Sequence, residues 1–511
     1  MADPAPNDGS PKTEDEIKAD ELRVRRLEAE KALASANAPW WRRADPLTLA
    51  ILAAAGSVFG NIWLEHSKAK DDQALEQAKA RYNLVLQAMA TNDAAVAKRN
   101  IHFFIDAGLL TDADCRIRNA IDSDNPVLPS LSGTAPAGPS NVLSAPLVAS
   151  LYNFPPGVDG RGQTIGLIEF GGGFDRKDLE QYFSKLNLPV PEVIVVPVNG
   201  GANRPSITDG TEMQTAMDIE IAAGIAPRAR LKVYFAPPSF KAADFAQAVR
   251  QATADQVSVL LIGYGMTESQ WKDEDIILVE GALEQAARQG VTVIVSSGDN
   301  GVTDGVKDGR RHVSYPGSSA WVLSVGATSV QIENGKIRSE KVWRGSPGEF
   351  ATGGGVSEKV ARPDWQKGVE VPPRGDGSAG RGLPDAVATA DPALGYAIVV
   401  HGKTMPVGGT GAVVSLWGGL IALLNQANGR NLGYVTPRFY REFGPAGLLR
   451  PVTEGDNGVS GVAGFKAGPS WTPVAGWGSP DGAKLINWLR THPDGTTAIA
   501  NTNACQSTAS Q

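Results

Sequence analysis

The chain has 511 residues, a formal net charge of −7, 58 glycines, 34 prolines and two cysteines. That length has room for more than one domain, the glycine and proline content suits a loop-rich α/β fold, and the absence of long basic runs argues against a nucleic-acid partner. Cys115 and Cys505 sit near opposite ends, which gives neither a disulfide framework nor a thiolate metal site, although a single bond between them stays open.

Residues 1–40 form a charged segment rich in Ala and Glu, with a helix expected over Asp20–Ser35. Residues 46–64 carry no charge and are flanked by Trp40, Trp41 and Trp63. As a helix this run spans roughly 28 Å, about one hydrocarbon thickness, and tryptophans at its ends suit the membrane interface. It begins too far into the chain for an ordinary signal peptide. The expectation is a single-pass membrane anchor; the competing reading, an Ala-rich helix in a soluble bundle, rests on Thr48, Ser57 and Asn61. Arg42 and Arg43 on one side are nearly cancelled by Lys68, Lys70, Lys79 and Arg81 on the other, so the orientation stays open. Residues 66–122 read as a helical hairpin region with turns at Asn92-Asp93 and Gly108, and residues 123–144, rich in Pro, Ser and Gly, as a linker.

A different pattern runs from 145 to 490, with 491–511 as a tail. Leu151-Tyr152-Asn153-Phe154-Pro155 precedes Gly160-Arg161-Gly162-Gln163-Thr164-Ile165-Gly166-Leu167-Ile168-Glu169. Next come Met217-Asp218-Ile219-Glu220-Ile221, Val233-Tyr234-Phe235-Ala236-Pro237 and the buried-strand run Val257–Ile262, which ends in Gly263-Tyr264-Gly265. Ser297-Gly298-Asp299-Asn300-Gly301, Tyr315-Pro316-Gly317-Ser318-Ser319, Gly353-Gly354-Gly355-Val356-Ser357 and Leu383-Pro384-Asp385-Ala386 follow. Last is Gly408-Gly409-Thr410-Gly411, a glycine turn feeding an apolar helix. Taken alone, that turn packs a helix onto a sheet; in nucleophilic hydrolases the same junction presents the attacking serine. None of the five histidines has ligand spacing or falls within these motifs.

In this order the motifs resemble the sedolisin family, serine-carboxyl peptidases on a subtilisin-like fold. The resemblance implies an α/β, doubly wound, mostly parallel sheet. It also implies a catalytic serine, a glutamate and an aspartate four residues apart on one helix, and a second aspartate at the oxyanion. Asp218 and Asp299 match the two aspartates, but Gln214 stands at the glutamate position and Gly411 at the serine position. An amide cannot accept the nucleophile's proton, and glycine has no nucleophile. Losing a nucleophile from a comparable triad costs about 10⁶ in rate. Without an ionisable neighbour, Asp218 is expected to lose the like-charge repulsion that tunes such a pair.

Thr410 and Ser415 are the substitute hydroxyls to consider. Glu212 is expected as a solvated surface carboxylate and Glu220 as one facing away from Asp218, either capping a packing contact or meeting solvent. Gly263, Tyr264 and Gly265 match the family's substrate-lining segment, with Tyr264 at its tryptophan. The family's calcium site reads here as Pro451, Val452, Gly468, Ser470 and Thr472, with both carboxylates gone. Calcium needs six to eight oxygens and charge, so no cofactor is expected; Glu454 and Asp456 are nearby loop charges. The N-terminal part also does not read as the long prosegment usual in active members.

The resulting expectation is a membrane-anchored, sedolisin-like pseudopeptidase with a peptide or protein ligand in its cleft. An active serine-type peptidase using substitute residues and a structural spacer are the alternatives.

Overall fold

The computed structural model describes residues 142–205, 211–345 and 350–492. The segment 1–40, the apolar run 46–64, the helical region 66–122, Cys115 and Cys505 lie outside the described residues. The described elements begin at α1 (Ala145–Leu151). They continue with β1 (Thr164–Phe170), α2 (Arg176–Lys185), β2 (Val193–Pro197), α3 (Thr211–Ile225), β3 (Arg230–Ala236), α4 (Ala242–Ala254) and β4 (Val259–Ile262). Then come β5 (Met266–Thr267), α5 (Asp273–Arg288), β6 (Thr292–Ser296), β7 (Ser314–Tyr315), β8 (Leu323–Glu333), β9 (Lys336–Val342), β10 (Gly355–Ala361), β11 (Gly380–Leu383) and β12 (Ala386–Thr389). The hairpin β13 (Tyr396–Val400) and β14 (Lys403–Val407) leads into α6 (Thr410–Asn428), and α7 (Gly482–Thr491) closes the series.

The central sheet runs β12-β8-β6-β4-β1-β3-β2, parallel throughout, with β9 added antiparallel to β8. Its strands are apolar on both faces, because helices cover both. Alternation sorts the side chains. Ile165 and Leu167, Val259 and Leu261, and Leu231 and Val233 share a core with α3 and α6. Ile168 and Phe170, Leu260 and Ile262, and Val293 and Val295 share the other with α4 and α5.

Helix α6 is buried along nearly its whole length. It lies this close because Gly418 and Gly419 have no side chains. A Cβ at Gly418 would stand 2.4 Å from Leu261, and one at Gly419 would stand 2.7 Å from Ile225 of α3. Among the described residues α6 is the one helix long and apolar enough to cross a membrane, and its burial identifies it as the core helix of this domain.

Two further motifs owe their residues to one buried carboxyl. Glu268, just beyond β5, accepts hydrogen bonds from Ser318 Oγ (2.6 Å), Ser357 Oγ (2.5 Å) and the backbone N–H of Glu358 (3.0 Å). This ties Tyr-Pro-Gly-Ser-Ser and Gly-Gly-Gly-Val-Ser to the loop that follows Gly263-Tyr264-Gly265. The glycine-to-serine pattern legible in the sequence therefore serves packing around a buried carboxyl.

Candidate active site

The site lies where doubly wound sheets hold their ligands, at the carboxyl ends of neighbouring parallel strands. Strand β1 ends in Glu169-Phe170, β4 runs into Gly263-Tyr264, and β6 runs into Ser297-Gly298-Asp299. Gln214 of α3 meets both Gly263 at this edge and Gly411 at the start of α6.

On α3, Gln214 and Asp218 are one helical turn apart and share a face. Gln214 Nε2 donates to Asp218 Oδ2 at 3.0 Å. A Cβ at Gly411 would stand 2.9 Å from that nitrogen and 3.3 Å from Gln214 Oε1. The position matched to the nucleophile therefore faces the position matched to the base. Gly263 is glycine for the same crowding, since a Cβ there would approach Gln214 Nε2 to 2.6 Å.

Asp299 sits across the elbow. Its Oδ1 accepts both the backbone N–H and the hydroxyl of Thr410, each at 2.8 Å. Burial pushes its carboxyl up. Gly409 makes the turn with φ of 94°, and a Cβ there would stand 2.7 Å from Asp299 Oδ2; both facts require glycine. Thr410 thus spends its hydroxyl on Asp299.

Ser415, one turn after Gly411, is fully buried and donates to Asp218 Oδ1 at 2.7 Å. The sequence offered it as a substitute nucleophile; the structure places it as a donor behind the site.

The expectation that Asp218 has no ionisable neighbour is overturned. Alternation along β1 sends Glu169 to the α3 face, where it shares a hydrogen bond with Asp218. Glu169 Oε2 also accepts from Tyr264 Oη (3.0 Å) and Thr215 Oγ1 (3.2 Å). Burial, followed by the Asp218 charge, pushes Glu169 well above the usual carboxylate range. Burial pushes Asp218 up to about 6 against the pull of Ser415, Gln214 and Glu169. Glu169 is the proton holder and Asp218 the acceptor, as like charges in close contact require. Tyr264 turns its hydroxyl inward to this pair while its ring packs edge-on against Phe170 at 5.4 Å.

Glu212 is not a solvated surface residue. It is buried on the opposite face of α3 and pairs with His401 Nε2 from the β13–β14 turn. These two residues line a pocket of about 220 Å³ together with Phe174, Asp178, Leu179, Ala216 and Val400. Glu220 is likewise buried and accepts the Val399 N–H at 2.8 Å, the packing contact among the outcomes expected for it. A further carboxyl the sequence did not single out is Asp304, left-handed at φ of 45° beneath Gly298. Burial, then Asp299 and Glu268, push it up to about 7.

These shifts set a pH dependence. Between the ordinary aspartate value of 3.8 and about 6, folded Asp218 holds a proton that the unfolded chain releases. The stability this contributes is full below pH 3.8 and lost as pH rises through about 6. Asp304 acts in the same direction up to about 7. The melting temperature is expected to fall from pH 4 to pH 7, and less steeply in Asp218→Asn. A scan by differential fluorimetry checks this; an unchanged slope in the variant would remove Asp218 from the account.

At the positions matched to the family's calcium site, Pro451, Val452, Gly468, Ser470 and Thr472 offer no carboxylate. The nearby Asp456 carboxylate is held by Arg344 (3.3 Å) and by the Gly458 N–H (2.8 Å). Among the described residues no three His, Cys, Asp or Glu side chains cluster as metal ligands. This donor set does not fit calcium. Packing holds the region, with Tyr440 against Trp471 (6.3 Å) and Trp477 (6.0 Å).

Comparison with known proteins agrees with this architecture. Residues 200–409 match the profile described as the subtilase family. The chain is 41% identical over 349 residues to kumamolisin of Bacillus sp. (strain MN-32), spanning 67% of this chain and 62% of that protein. It is 32% identical over 364 residues to sedolisin of Pseudomonas sp. (strain 101), spanning 67% of this chain and 60% of that protein. The chain thus spans about three-fifths of the length of these relatives. Among solved structures, Pseudomonas sedolisin, a serine-carboxyl proteinase complexed with two molecules of pseudo-iodotyrostatin, superposes with a TM-score of 0.63 at 30% identity, covering 69% of this chain and 99% of that one. With the fold, the strand-end site and this likeness together, the chain belongs to the sedolisin family.

Proposed function

We propose that this protein is a membrane-anchored pseudopeptidase of the sedolisin family, which binds a peptide in its cleft and does not cut it. The observation that carries the reading is the pairing at one spot of a bare Gly411 Cα with the Gln214 amide. Acyl transfer needs a nucleophile and a base there, and neither is present. The surrounding groups are in order: Asp218 has donors on both oxygens and Asp299 has both Thr410 bonds. A site in which both aspartates keep their hydrogen-bond donors suits a retained scaffold better than a damaged one.

The reading places the anchor at residues 46–64, leaves the side of the membrane open, and includes no calcium. An active enzyme with substitute residues is disfavoured because Thr410 and Ser415 have their hydroxyls engaged and Glu212 faces the wrong side of α3. The test is a mixed peptide pool at acid pH, followed for retention on the purified protein and for cleavage. Retention without cleavage is expected. Cleavage that persists in Asp218→Ala would point to unrelated chemistry, and absence of both retention and cleavage would favour the spacer alternative.

A further inference from the structure

We infer that Met213 is a peroxide-sensitive site on the wall of the cleft, where conversion of its thioether to the sulfoxide weakens the hold on a peptide. The effect on retention rests on the peptide-binding reading; the site of oxidation does not.

Helix periodicity sets the wall. A Cβ at Gly411 would stand 2.9 Å from Gln214 Nε2 and 3.1 Å from Met217 Cε, so both of these α3 side chains border that spot. Met213 precedes Gln214 by one residue and Met217 by one helical turn, so it continues the same wall outward. The opposite side of α3 serves another contact, because Glu212 and Ala216 line the pocket that His401 shares. Burial then separates the two thioethers. Met217 is 4% exposed and Met213 is 40% exposed. Met266 and Met405 are half-buried, and the described residues hold no cysteine. Among the described residues Met213 is therefore the accessible soft sulfur at this edge.

The step needs only a peroxide as oxidant. The sulfur lone pair attacks one peroxide oxygen, an S–O bond forms and the O–O bond breaks. The transferred oxygen passes its proton to the departing hydroxide, which leaves as water. Sulfur gives up two electrons and the peroxide gains them. The product is a polar, chiral sulfoxide in place of a flexible apolar group. Unbranched thioethers adapt to many partners, which suits a wall that meets side chains of varied shape. Oxidation at Met213 therefore alters the contact a docked peptide makes beside Gly411. Met217 is shielded, since a peroxide reaches it only when α3 opens locally.

The test treats the full chain with dilute hydrogen peroxide and maps the added oxygen by digestion and mass spectrometry. Met213 is expected to react roughly tenfold faster than Met217, which waits on local opening. Retention of a mixed peptide pool is measured on the same samples by ultrafiltration. The oxidised chain is expected to hold peptide about threefold less tightly, the size of one thioether contact, and to recover after methionine sulfoxide reductase treatment. In Met213→Leu, whatever its retention before treatment, peroxide is expected to change it no further. Oxidation of Met213 no faster than Met217 would overturn the site. Rapid oxidation of Met213 with unchanged retention, or an equal loss of retention in Met213→Leu, would overturn its place on the cleft wall and leave peptide binding standing. No retention by the untreated chain would overturn the peptide-binding reading and the effect on retention with it, while the map of added oxygen still decides the site.

Discussion

Restoring the two missing groups together, as Gly411→Ser with Gln214→Glu, is expected to give peptide hydrolysis at acid pH where the natural chain gives none. The backbone at 411 is helical, so a side chain meets no conformational barrier. A Cβ there would press on Gln214 Nε2 at 2.9 Å and Met217 Cε at 3.1 Å. Both are ends of flexible side chains that yield by a few tenths of an ångström. Glutamate at 214 would stand one turn from Asp218, beside the buried Glu169 carboxyl, so the new carboxyl joins a buried acidic cluster. Asp299, matched to the family's oxyanion aspartate, is already held by Thr410.

Either change alone is expected to remain at background, because nucleophile and base act as a unit, and loss of the nucleophile alone costs about 10⁶ in rate. The measurement is kcat/KM on a mixed peptide pool between pH 3 and 6 for the natural chain, both single variants and the pair. A gain of even about 10² over the natural chain in the pair alone recovers about 2.7 kcal/mol of transition-state stabilisation. Equal rates in all four proteins would mean that the scaffold around the site has also drifted out of catalytic geometry.

The largest expected effect on stability lies away from the cleft. Arg381 and Asp385 are both fully buried, with Arg381 Nη2 2.7 Å from Asp385 Oδ2. Asp385 also accepts from the Ser324 N–H (2.7 Å) and Tyr440 Oη (2.6 Å), and Arg381 Nε donates to the Ser319 carbonyl (3.1 Å). Asp385→Ala strands a guanidinium in the interior together with two donors, and is expected to cost about 3–5 kcal/mol. The double change Arg381→Met with Asp385→Leu removes both charges and is expected to cost less than the single one. Urea unfolding midpoints decide it. A single variant within about 1 kcal/mol of the natural chain would mean that water reaches the pair.

Much of the fold was legible because its signals are local. The apolar run Val257–Ile262, the Gly-Gly-Thr-Gly turn and the i, i+4 spacing of Gln214 and Asp218 each encode one element or one face. What escaped the sequence is what depends on contacts between distant segments. Glu169 is a charge ending an apolar strand, and strand alternation alone assigns it to the same face as Ile165 and Leu167. Its meeting with Asp218 required knowing that α3 covers that face. Glu212 reads as a surface residue because no local signal announces His401, which arrives from a hairpin 189 positions later by numbering. Ser415 had the opposite fate, being legible as a hydroxyl near the elbow and placed by helix periodicity, with its donor role set by the position of Asp218.

On this reading the cleft holds a peptide and forms no covalent bond to it. The most direct test is intact mass of the natural full-length chain, quenched in acid during incubation with the mixed peptide pool. The unmodified mass is expected at every time point, with an acyl adduct appearing only when Gly411→Ser and Gln214→Glu are both present. An adduct on the natural chain, at Thr410, Ser415 or any other hydroxyl, would contradict it.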